Sequence, residues 1–253
     1  MRPCEGRLSG VCAPTASAKA AGRIALTVTT SGLTRAAAVA AIAGGTIFIA
    51  VQIGHPQLTT TSITSANVKV REYLKVVFAA LAVAGITGMY LNQVRRNGMV
   101  GLIGYLLLAV GYLSIMCTTF VGAFVAPTIV GTDPGYVKDV IALATGRGSV
   151  IGDLGALDAF WKLQAVCYLG GGLIFGIALF RAGVLARWAC VFLAVSGAIS
   201  AVLSKMPDAF YRLLAVPNGI ALIGLGISLW QVQRQVDTGA RPAAEPPAEP
   251  AAV

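Results

Sequence analysis

The charged residues of this 253-residue chain are bunched. Between the bunches lie six stretches without any Asp, Glu, Lys or Arg: residues 36–68, 76–94, 97–132, 163–180, 188–204 and 213–233. A chain folding in water needs charge at its surface turns, so a series of such gaps predicts lipid as the solvent. Crossing the hydrocarbon takes about 20 apolar residues at 1.5 Å rise each, with roughly 17 to 25 tolerated. The runs are continuous and lack the two-residue alternation of a barrel strand, so helices, which satisfy their own backbone groups, are the expected form. The 57% hydrophobic and 11% charged composition agrees. The expected fold is all-α, a polytopic membrane bundle over 33–232 with six transmembrane helices at about 36–53, 74–93, 99–125, 161–180, 188–204 and 213–230.

A formal charge of +9 could attract nucleic acid, but Arg35, Arg95, Arg96, Arg181, Arg187 and Arg212 sit singly or in pairs at the ends of apolar runs. That placement suits phospholipid headgroups. The expected partner is therefore the lipid bilayer and not nucleic acid; a protein partner or small ligand is left open. Five cysteines with no C-x-x-C, and His55 as the single histidine, leave no metal site to expect. No cofactor is expected either. No expected span has a carboxylate, lysine or arginine in its interior, which argues against proton- or sodium-coupled carriers and ion channels.

Outside the bundle, residues 1–32 and 233–253 are rich in small residues, or in Ala, Pro and Glu, and are expected as disordered tails. The first helix is expected to end at Gly54-His55-Pro56, and the second at Arg95-Arg96-Asn97-Gly98. The outer loop 127–160 is long enough to suggest a functional or partly folded segment; 137–145 has helical periodicity, and 153–161 could lead helically into the fourth span. Six crossings put both termini on one side. The two short turns on that side hold two Arg each, which places the termini in the cytoplasm and the protein, multi-pass, in the cell membrane. Three spans before the loop and three after give the geometry of 3+3 inverted halves. Two string echoes accompany it: 44–48 with 171–175, and 81–85 with 193–197.

Few residues could act. Gly172 and Gly176 form a G-x-x-x-G, expected to pack helices inside the bundle or, as the alternative, a dimer seam. Pro217 and Asn218, early in the sixth span, suggest a kink satisfied by a neighbouring helix or a broken helix at a substrate site. His55 is an interfacial histidine beside a helix-ending proline; paired with Asp133, Asp139, Asp153 or Asp158 it could make an acid–base centre. No catalytic residue is assigned. The binding candidates are His55, Asp158, Pro217 and Asn218.

The strings Gln52-Ile53-Gly54-His55-Pro56, 85–91 (GITGMYL), 154–157 (LGAL), 168–185 (YLGGGLIFGIALFRAGVL) and 214–219 (LAVPNG) resemble those of a group of small multipass membrane proteins of actinobacteria. The resemblance spans about 36–230, with Ala186 where relatives often have proline. It implies the topology and a bacterial plasma membrane, and no established activity comes with it. The expected function is binding, sensing or scaffolding at the outer face. A small carrier for an apolar or zwitterionic molecule is the alternative, and an intramembrane hydrolase the third; an enzyme is the less favoured class.

Overall fold

The computed structural model describes residues 29–203, 213 and 215–239, and among these every regular element is helical. Seven helices are labelled here: α1 Thr30–Ala50, α2 Ala66–Asn92, α3 Val94–Phe120, α4 Pro134–Thr145, α5 Ala156–Ala182, α6 Arg187–Leu203 and α7 Val216–Gly239. A 3-10 turn covers Ser62–Thr64, and a π turn Val121–Val125 followed by Ala126–Ile129 carries α3 onward. Among the described residues four helices are long and apolar enough to cross a membrane: α1, α2, α5 and α3 with its extension to Ile129. The described part of α6 has 17 residues, and α7 runs on into a polar end.

The helix ends depart from the expected boundaries for local reasons. Thr29 accepts a hydrogen bond from the Gly32 amide, so α1 starts six residues early. The Ser65 hydroxyl caps α2 through the Val68 amide, which draws Lys69, Arg71 and Glu72 into the helix instead of leaving them before it. Val94 to Asn97 form a separate turn ahead of Gly98, whose φ of 55° breaks the run, so the uninterrupted part of α3 starts at Met99. Proline 127 cannot donate to residue 123 and would crowd its carbonyl. The chain widens there into the π turn, with the Ala126 amide bonded to the Val121 carbonyl. The loop holds α4, which Asp133 caps. The expected tails lie outside the described residues, except that 30–32 and 233–239 are helical.

Packing runs α1 on α2, α2 on α3, α3 on α5, α5 on α6, α6 on α7, and α7 back on α1, so six helices close a ring. One apolar core fills it, with Phe78, Leu108, Tyr112, Phe175, Leu193 and Leu225 fully buried. Glycines allow the helices to approach. A Cβ on Gly219 would meet the Ile49 side chain, one on Gly226 that of Ile42, and one on Gly45 those of Leu222 and Ile223, so α1 and α7 run antiparallel. On the other side of the ring, Gly104 meets Phe175, Gly111 meets Tyr168, and Gly171 meets Leu107 and Leu108. Gly172 and Gly176 both face α6: a Cβ on Gly176 would lie 2.6 Å from the Ala194 amide nitrogen.

Candidate functional site

At the α4 end of the ring, α1 stops at Ala50 while α2, α3 and α5 continue. The Arg71 guanidinium, held by Asn67, donates to the carbonyls of Val51 (2.7 Å) and Ile53 (2.9 Å) just past the end of α1. Gly54, at φ 65°, then turns the chain so that His55 faces α2. The space left above the end of α1 is a cavity of about 210 Å³. Phe48 and Phe78, stacked 4.0 Å apart, form its floor, and Val140, Ile141 and Ala144 of α4 contribute to its lining. Its polar lining comes from Gln52, Glu72, Lys75, Thr118, Thr119 and Gln164, with Trp161 alongside.

Glu72 is the centre of the polar wall. Its side chain is 7% exposed, and one oxygen, Oε1, accepts from Lys75 Nζ at 2.6 Å with His55 Nε2 at 3.7 Å. Lys75 Nζ also lies 3.3 Å from His55 Nε2. An ammonium has only protons to give. Nε2 therefore accepts, and Nδ1 carries the proton that it donates to the Pro56 carbonyl at 2.7 Å. The π turn matters here: Gly122 faces Glu72, and a Cβ at that position would lie 3.6 Å from Oε2. That second oxygen is the one left toward Gly122 and the cavity. On the opposite wall Thr118 donates to Gln164 Oε1 at 2.8 Å, joining α3 to α5.

One turn deeper lies a buried polar chain. Tyr112 donates its hydroxyl hydrogen to Asn218 Oδ1 at 2.9 Å, and Asn218 Nδ2 donates to the Tyr168 hydroxyl, so α3, α5 and α7 are tied at one level. Tyr112 meets the floor residue Phe78 edge-on, centroids 5.8 Å apart. At the other end of the ring, Asp237 gathers Arg35, Ser31 and Gln233, and the Arg35 guanidinium lies over the Trp230 ring. Asp237 sits past the apolar part of α7. The Gln233 hydrogen bond, then those of Ser31 and the charge of Arg35, hold its carboxyl below the usual aspartate value.

The expected site residues are only partly brought together. His55 meets Glu72 and Lys75, while the four aspartates considered as its partners are engaged elsewhere. Asp133 caps α4, Asp139 accepts from the amides of Ile151 and Gly152, Asp153 accepts from Gly155, and Asp158 pairs at the surface with Lys162. Pro217 does not kink a helix, because it lies in the first turn of α7, where its missing N–H breaks no bond. Asn218 is fully buried in the polar chain rather than near solvent. Glu72, Lys75, Tyr112 and Tyr168 were missed. A signal for Glu72 existed: it is the one carboxylate between Glu5 and Asp133, three residues before Lys75 on a helical face. Among the described residues no three His, Cys, Asp or Glu side chains gather as metal ligands would.

Comparison of the chain with protein-family models, with curated proteins and with solved structures returned no match. What the site can do therefore rests on its own geometry. A carboxylate and an ammonium sit side by side on one wall of a small chamber whose remaining lining is aromatic, aliphatic and, at Gln52, Thr118, Thr119 and Gln164, polar but uncharged.

Proposed function

We propose that this chain is a six-span membrane protein that binds a small zwitterionic molecule with an apolar body in the chamber beneath α4. The observation that carries the reading is the Glu72–Lys75 pair on the wall of that chamber. Ionised groups are kept out of water only when partnered, and this pair presents both signs to an incoming zwitterion, which could exchange with it charge for charge. The stacked Phe48 and Phe78 offer an apolar surface to the rest of the ligand.

Membrane insertion is supported by the outer surface of the ring. Val39, Val77, Leu113, Val166, Leu173, Val191 and Ile227 all point outward and are exposed, a belt that water would not tolerate on this scale. α6 and α7 complete the ring, so a bilayer around α1, α2, α3 and α5 would enclose them as the fifth and sixth spans. The resemblance to small actinobacterial multipass proteins and the arginines of the short turns favour a bacterial cell membrane with the α4 end outward. Binding or sensing fits this site better than scaffolding, because the loop folds inward over a chamber. A hydrolase fits less well, because both ring nitrogens of His55 are already engaged, by Lys75 and by the Pro56 carbonyl.

Trp161 supplies the test. In a W188F/W230F background it is the sole indole, and titration with betaine, apolar amino acids, choline and neutral analogues reads occupancy by its emission. At least one zwitterion is expected to shift the emission saturably, and E72Q and K75M each to weaken it. If every compound leaves Trp161 unchanged, or if E72Q binds as the parent does, the assignment is wrong.

A further inference from the structure

We infer that, given the binding site proposed above, the protein is a carrier that alternates access to the chamber between its two ends, with the Arg35–Asp237 cluster as the gate at the far end. A pattern of contacts repeats across the ring. On the α1–α7 seam Gly45, Ile42 and Ile49 meet Leu222 and Ile223, Gly226 and Gly219; on the α3–α5 seam Gly171, Tyr168 and Phe175 meet Leu107 and Leu108, Gly111 and Gly104. Each α5 residue is 126 positions after its α1 counterpart, as 171 is after 45, and each α7 residue is 115 after its α3 counterpart, as 219 is after 104. The α1–α2 contacts Gly44–Leu81 and Gly85–Ala41 are matched in kind by Gly172–Leu193 and Gly197–Leu169, although α1 maps onto α5 there with an offset of 128, two residues away from the register of the other seam.

Because α1 and α5 enter the ring from opposite ends, this mapping inverts one half onto the other, the arrangement that lets a carrier exchange its two faces. The offsets of 126 and 115 from the α1–α7 and α3–α5 seams carry Arg35 onto Trp161, Asp237 onto Gly122 and Gln233 onto Thr118. Those three targets line the chamber. Equivalent positions are therefore an open chamber at one end and a closed ion-pair cluster at the other, as in one of two mirror states of a rocking bundle. Opening the second end requires parting Arg35 from Asp237, and closing the first brings α4 and Trp161 onto Thr118 and Gly122.

The test uses the full chain without its native cysteines, carrying T119C in the chamber, reconstituted in vesicles of known orientation. The probe is a membrane-impermeant maleimide applied to one face at a time. The parent is expected to label from the α4 face. D237A is expected to raise labelling from the opposite face about fivefold, the shift that loss of a half-exposed ion pair can give, and to lower it from the α4 face. The charge swap R35D/D237R should restore the parent pattern, which separates gating from misfolding. Labelling from the α4 face alone in both parent and D237A overturns the carrier while leaving the chamber. Absence of labelling from either face overturns the chamber itself.

Discussion

Replacing Glu72 by glutamine keeps the shape of the chamber wall and removes its negative charge. At 2.6 Å the Glu72–Lys75 attraction is about 6 kcal/mol gross at an effective dielectric of about 20. Most of this is cancelled by the cost of desolvating both ions, so the pair itself contributes little net. Deleting one partner is different, because the other charge stays buried alone; for a buried pair that costs about 3–5 kcal/mol. Lys75 retains 16% exposure and still has His55 Nε2 as an acceptor, so the lower end, about 3 kcal/mol, applies to E72Q. The double variant E72Q/K75M removes both charges and is expected to recover about half of that loss, since no ion is stranded. The assay is reversible unfolding by SDS in mixed micelles, followed by helical circular dichroism, on the parent, both single variants and the double. If E72Q unfolds within about 0.5 kcal/mol of the parent, as surface pairs do, or if the double is worse than E72Q, the buried-pair reasoning fails.

Gly176→Leu should separate α5 from α6, since even a Cβ meets the Ala194 backbone, and is expected to cost about 3 kcal/mol or prevent folding. Gly170→Leu, where a Cβ meets nothing within 4 Å, should unfold as the parent does in the same assay. Asn218→Leu strands the Tyr112 hydroxyl in the core and should cost about 1–3 kcal/mol; the Y112F/N218L double, measured alongside, should lose less than N218L alone. The depressed Asp237 carboxyl stabilises the fold above the ordinary aspartate value of 3.8. That contribution is lost as pH falls through the lower folded-state value. A melting-temperature profile from pH 6 to pH 2 should therefore be flatter at its acid end in D237N than in the parent.

The helical segments were legible in the sequence because a charge-free apolar run is a local property. α1, α2, α3 and α5 appear where the gaps put them, and the periodic stretch in the long loop is α4. Their ends were less legible. Ser65 and Thr29 cap helices that a hydropathy reading starts later, and that reading leaves Glu72 ahead of the second span where the cap places it within α2. Pro217 suggests a kink or a broken helix because the sequence shows a proline without showing that the helix begins beside it. The partner of His55 was sought among the aspartates of the outer loop. Each of those has a local task, as a helix cap, an acceptor for loop amides or a surface pair, that removes it from the chamber.

By itself the sequence determined an all-helical chain with several segments suited to lipid, since hydrophobic runs and hydrogen-bond closure within a helix depend only on neighbours in the chain. Tertiary structure alone decided which side chains meet. The end of α1 a few turns short of its neighbours opens the chamber, and closure of the ring sets Tyr112, Tyr168 and Asn218 at one level. Burial of a charge depends on what a distant helix places over it, and no local pattern around Glu72 encodes the π turn at Gly122 or the roof formed by α4.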